Sequence, residues 1–128
     1  IMKDGSPWAT LGSPGGLRIP SAVIQVVLNL IDFNMDMQSA IAAPRVYTYA
    51  AANGDYGASK KQRDIYIENA IPAEIRTELR NMGYYVIPYG SGEIDLYFGG
   101  VQGIRFNSAD GTMHGGADPR RDGKALGY

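Results

Sequence analysis

The pentapeptide Gly12-Ser13-Pro14-Gly15-Gly16 stands immediately before a helical pattern that opens near Arg18. Adjacent glycines can hold consecutive N–H groups toward one point with no side chain in the way. A helix N-terminus behind them adds partial positive charge. That is the chemistry of an oxyanion hole, in which fixed donors stabilise a tetrahedral intermediate. A phosphate loop is the competing chemistry, and it fails because no Lys-Ser/Thr follows the glycines. The bland alternative is an ordinary strand-to-helix turn, and the local pattern alone favours it.

Other candidates are weaker. His114 is the one histidine, and with no second His, no Cys and no triad spacing it reads as a structural or exposed residue. Glu93 and Asp95 alternate with Ile94 and Leu96, as on a solvated strand edge. Glu74, Arg76, Glu78 and Arg80 read as the exposed face of a helix. The tail from His114 to Gly123 mixes turn glycines with Asp and Arg, and reads as a pinned strand and turn held by salt links rather than as a substrate site. The tyrosines fall largely at strand positions, where aromatic residues are favoured.

The positioning elements follow from the pattern. Residues 1–11 are extended, anchored by Trp8 and Leu11. A helix runs from Arg18 or Ile19 to Phe33, with Pro20 in its first turn. Its polar residues Ser21, Gln25, Asn29 and Asp32 form one narrow stripe, so most of its circumference is expected to be buried. A short helix covers 36–42 and stops before Pro44. Strands are expected at 45–49, 63–68, 84–89, 96–106 and 112–117, with a surface loop at 50–62. A helix over 72–82 points Ile75, Leu79 and Met82 inward and ends at Gly83. Glycines at 99, 100 and 103 suggest bulges or close packing. Strands beside segregated helices define an α+β layered fold.

Composition sets the outer limits. The 128 residues carry 12 basic and 13 acidic side chains, a net charge of −1, which gives no electrostatic footprint for nucleic acid or an anionic membrane. The apolar helix is too short and interrupted to span a bilayer. Glycine is the outlier at 17 of 128 residues, and its clusters point to turns and close backbone approach rather than low complexity. Cysteine is absent, so disulfides and thiolate metal sites are excluded, and no cofactor is expected. Residues 1–128 read as a single domain, or part of one.

Three stretches together resemble the gamma-glutamyltranspeptidase family. The first is Gly12–Gly16, preceded by Lys3-Asp4-Gly5-Ser6-Pro7 and followed by a helix with Val23, Gln25, Val26 and Asn29. The second pairs Ile31-Asp32-Phe33-Asn34-Met35 with Ala40-Ile41-Ala42-Ala43-Pro44-Arg45. The third joins Val101-Gln102-Gly103-Ile104 to His114-Gly115-Gly116-Ala117-Asp118-Pro119-Arg120-Arg121-Asp122-Gly123-Lys124-Ala125.

The resemblance implies part of an N-terminal-nucleophile hydrolase, an αββα sandwich of two sheets between helices. It implies self-cleavage into two subunits, with this chain the C-terminal portion of the small one. The new N-terminal threonine takes a gamma-glutamyl group from glutathione or a similar donor and passes it to water or an amino acid. The family's oxyanion-hole glycines match Gly15 and Gly16. Its threonine matches nothing here: Thr10, Thr48, Thr77 and Thr112 lie in no processing motif, and the substrate-binding residues would precede residue 1. The expectation is therefore a fragment, inactive alone, that associates with the large subunit, with the rest of the small subunit or with itself. Family habit implies a periplasmic or secreted location. The alternatives are a non-catalytic scaffold or interaction domain that keeps the fold, a poly-gamma-glutamate depolymerase, or a cephalosporin-type acylase.

Overall fold

The computed structural model describes residues 1–48 and 63–127; the loop expected at 50–62 lies outside them. The chain opens with a hairpin of β1 (Met2–Lys3) and β2 (Ser6–Pro7). Asp4 and Gly5 close it at φ 50° and 78°. Two consecutive left-handed residues match the twist of paired strands, which is why Asp-Gly suits this turn.

Next come β3 (Ala9–Gly12), a single 3₁₀ turn (Gly16–Arg18), α1 (Ile19–Ile31) and α2 (Met37–Ala42). They are followed by β4 (Val46–Tyr47), β5 (Asp64–Ile67), α3 (Ala73–Asn81) and β6 (Tyr85–Pro88). A 3₁₀ turn (Leu96–Phe98), β7 (Gln102–Phe106), β8 (Met113–Ala117) and a last 3₁₀ turn (Pro119–Arg121) complete the order. One sheet is antiparallel in the order β3-β7-β8; the other is β4-β5-β6, with β5 and β6 parallel across α3. The fold is α+β, as expected. No helix among the described residues is long and apolar enough to cross a membrane.

Glycines let α2 lie directly on the first sheet. Gly103 and Gly116 are cross-strand partners, and a Cβ on either would stand 2.9 Å from Met37 side-chain atoms. Met37, Ala40 and Ile41 thus reach the sheet and join Ala9, Ala22, Val26, Leu30 and Val101 in one core cluster, with Trp8 and Leu11 packed against it. Asp36 starts α2 by accepting the Ser39 N–H at 2.9 Å.

Two glutamines finish strand edges in the way a neighbouring strand would. Gln25 accepts the Val46 N–H and donates to the Val46 carbonyl, both at 2.8 Å. Gln38 does the same for Ala117, at 2.9 and 3.0 Å. Satisfying both backbone groups of one residue removes two buried orphans at once.

Three expectations are corrected. The polar stripe of α1 faces solvent only at Asp32: Ser21 and Gln25, both half-buried, bond to Val46, and half-buried Asn29 donates to Ala40. The helix buries only Ala22, Val26 and Leu30, and leaves Ile24, Leu28 and Ile31 57%, 45% and 57% exposed. Side-chain amides bind strand-edge backbone here, so the polar stripe lies half-buried beside the apolar core face and a second apolar row is left exposed. In α3, Ile75 and Met82 are likewise exposed rather than inward, and Leu79 is half-buried. Its C-terminus is as expected, with Gly83 at φ 91° and Tyr84 N–H bonded to the Leu79 carbonyl. Finally, the strand expected over 96–106 is broken at Gly99, whose φ of 96° ends the 3₁₀ turn, and pairing begins only at Gln102.

Candidate functional site

The glycine loop joins the Gly12 end of β3 to α1. Gly15 sits at φ 140° and Gly16 at φ 58°, conformations that side-chain-bearing residues rarely adopt. Gly16 opens the 3₁₀ turn that runs into α1, and the Arg18 N–H bonds back to the Gly15 carbonyl at 3.2 Å. Neither the Gly15 nor the Gly16 N–H donates a hydrogen bond among the described residues. A helix start leaves such donors unsatisfied by construction. Gly16 is exposed, and a Cβ there would meet nothing within 4 Å. The two adjacent N–H groups are thus left without a protein partner among the described residues.

The loop leans on the Gly99–Gly100 segment. Ser13 Oγ accepts the Gly100 N–H at 3.1 Å and donates to the Pro14 carbonyl at 2.9 Å. A Cβ on Gly99 would stand 3.1 Å from both Ser13 Oγ and Ala22 Cβ, so only glycine allows this approach. Beyond the loop, the Arg18 guanidinium lies 3.7 Å from the centre of the Tyr97 ring. Tyr97 in turn packs against Tyr47, Tyr66, Tyr89 and Phe98, two of these rings belonging to the strands β4 and β5.

A buried ionic network fixes that segment from the other side. Arg45 Nη1 donates to Asp118 Oδ2 at 2.7 Å and to the Phe98 carbonyl at 3.2 Å. Asp118 Oδ2 also accepts the Val101 N–H at 2.7 Å. Arg120 reaches Glu68 through Nε at 2.7 Å and Asp118 through Nη1 at 3.1 Å. All four side chains are buried. Burial holds the Arg45 pKa below its ordinary value, with repulsion from Arg120 second, against the attraction of Asp118. At Arg120 burial is the largest single influence and opposes the charge, but bonding and attraction to Glu68 and Asp118 together outweigh it and the pKa rises. Both stay cationic, because arginine does not deprotonate in proteins.

The salt-linked tail is as expected from the sequence, whereas Arg45 and Glu68 were not expected to join it. Their only signal was an arginine and a glutamate at opposite strand ends, which carries no information without the pairing. His114 is exposed, with Nε2 3.2 Å from Thr112 Oγ1. It lines a cavity of about 540 Å³ with Trp8, Asp36 and Arg105 at the Ala9 end of β3, the end away from the glycine loop. Asp95 is not on a strand edge: its carboxylate accepts the Tyr97 N–H at 2.8 Å and starts the 3₁₀ turn. Among the described residues no three His, Cys, Asp or Glu side chains gather as metal ligands would.

This arrangement has the layout of part of an N-terminal-nucleophile hydrolase. The chain belongs to the gamma-glutamyltranspeptidase family, whose model matches residues 1–128. It is 33% identical to the glutathione hydrolase proenzyme of Bacillus subtilis strain 168, over 99% of this chain and 19% of that protein. A gamma-glutamyltranspeptidase from Pseudomonas nitroreducens superposes with a TM-score of 0.76 at 28% identity, over 100% of this chain and 59% of that one. A cephalosporin acylase from Bacillus halodurans superposes at 0.80 with 27% identity, over 99% of this chain and 22% of that one. The chain thus spans about a fifth of the length of the curated relatives it matches.

Proposed function

We propose that this chain is the C-terminal portion of the small subunit of an enzyme that transfers or hydrolyses gamma-glutamyl groups, and that it supplies the oxyanion hole. The observation that carries the reading is the pair of free N–H groups on Gly15 and Gly16, held at positive φ where α1 begins. The nucleophile is a threonine outside these residues, and the large subunit and the rest of the small one complete the site. The share of the relatives that the chain covers supports this division.

In the reaction, the threonine hydroxyl attacks the gamma-glutamyl carbonyl and its oxygen becomes an oxyanion. The Gly15 and Gly16 N–H groups donate to that oxygen. Collapse of the intermediate expels the amine and leaves an acyl-enzyme, which water or an amino acid then opens. Each fixed donor is worth about 2.7–4 kcal/mol to such a transition state.

Gly16→Val in the parent protein tests the assignment. The side chain has room, but φ 58° is strained for a β-branched residue, so the peptide plane must turn and the donor is lost. Turnover of a gamma-glutamyl chromogenic substrate falls sharply while circular dichroism stays native; unchanged turnover in the folded variant removes the role. The 128-residue chain alone gives no turnover, and activity from it would place the nucleophile within it. A second reading, acyl transfer from a cephalosporin-type substrate, is favoured by the acylase superposition. It uses the same two donors, and comparing the two substrate types on the parent separates the readings.

A further inference from the structure

We propose that Ser13 is the positioning residue of the oxyanion hole, acting through the hydrogen bond from Gly100 to its hydroxyl; this rests on the role given above to Gly15 and Gly16. An oxyanion hole works only if its donors are fixed before charge develops. The loop has little means of its own to achieve that. Residues 13–15 lie between β3 and the 3₁₀ turn that Gly16 opens; two of residues 13–16 are glycine, and the one polar side chain among them is that of Ser13. Its hydroxyl uses both capacities: it accepts from Gly100 at 3.1 Å and donates to Pro14 at 2.9 Å. The first bond reaches 87 residues along the chain; the second holds the peptide directly before Gly15.

The partner is rigid. Phe98 and Val101 flank the Gly99–Gly100 segment, and both are held by the buried network, through Arg45 at 3.2 Å and Asp118 at 2.7 Å. Gly99 also stands close to Gly15: a Cβ on Gly15 would lie 3.6 Å from the Gly99 Cα. Steric contact sets how near the loop comes, and the Ser13 hydroxyl sets its direction. Without it both donors persist, but among the described residues no other hydrogen bond ties the loop to the Gly99–Gly100 segment.

The test uses the full-length parent protein, with wild-type turnover of a gamma-glutamyl substrate as its first arm. Absence of that turnover overturns the functional reading and this inference with it. Given turnover, Ser13→Ala lowers kcat about tenfold or more, the scale expected when donors remain but are misplaced. KM changes less than about twofold, because ground-state contacts lie elsewhere. A gamma-boronic acid analogue of glutamate, which forms a tetrahedral adduct, loses affinity by the same factor as kcat. Ser13→Cys keeps the shape with a weaker hydrogen-bonding group, so it shifts both quantities the same way by a smaller factor and covers the case in which the alanine variant does not fold. Wild-type kcat in folded Ser13→Ala or Ser13→Cys, or a fall in kcat with unchanged boronate affinity, overturns the assignment.

Discussion

Arg120 grips Glu68 with two parallel hydrogen bonds, Nε to Oε1 at 2.7 Å and Nη2 to Oε2 at 2.5 Å, and both side chains are shut off from water. The pair ties the turn after β8 to the end of β5, across 52 residues of chain. Glu68 accepts further bonds from the Arg45 and Asp95 N–H groups, each at 2.8 Å. One carboxylate therefore joins the two sheets and the segment leading to Gly99. A buried pair is weak evidence for net stability, since desolvation offsets attraction, but breaking it leaves a charge with no partner.

Glu68→Ala is the direct test of that asymmetry. It leaves Arg120 buried with only Asp118 and two carbonyls, and is expected to cost about 3–5 kcal/mol. A urea unfolding midpoint within error of wild type would show that the pair holds nothing in place.

The glycine seam under α2 makes a second, independent prediction. A Cβ at Gly116 would stand 2.9 Å from the Met37 carbonyl, which is backbone and cannot rotate aside. Gly116→Ala therefore pushes α2 off the sheet and destabilises by about 1–3 kcal/mol. Thermal unfolding measures it, and a variant as stable as wild type would mean that α2 shifts at no cost.

Asp36 gives the pH dependence. Hydrogen bonds from the Ser39 side chain and then its N–H hold the Asp36 carboxyl below its ordinary value. A folded pKa below the unfolded one means stabilisation that is complete above the unfolded value and fades as pH falls through the folded one. Asp36→Ala should cost about 1 kcal/mol at neutral pH. In urea titrations the gap from wild type should narrow below about pH 4, and a constant gap would contradict the cap.

The exposed row Ile24, Leu28 and Ile31, with Phe33 beyond it, predicts the behaviour of the isolated chain. A contiguous apolar stripe on one helix promotes self-association. Light scattering should show species larger than a monomer at high concentration, and Ile24→Gln with Leu28→Gln should reduce them. A wild-type chain that stays monomeric would show that the stripe is tolerated in water.

Local chemistry was legible from the sequence. The left-handed Gly83, the glycine loop and the short helix over 36–42 depend on a few neighbouring residues, so spacing alone located them, whereas the Asp4-Gly5 hairpin inside the extended 1–11 and the Asp36 cap emerged only in the structure. The element order survived for the same reason, as did the family resemblance. What failed depended on long-range pairing. Periodicity marks an apolar and a polar side of α1 but not which apolar row is buried, and that was settled with Gln25 bound to the open edge of β4 and Ala22, Val26 and Leu30 in the core. The strand propensity of 96–106 held only from Gln102, because Leu96–Phe98 form a 3₁₀ turn that ends at Gly99 with φ 96°. Arg45 and Glu68 looked like any charged residues beside strands, yet packing buried both. The sequence by itself determined the helices, the glycine loop and the two candidate donors. The tertiary structure alone decided which faces met, because inward orientation and charge burial depend on partners brought together from distant parts of the chain.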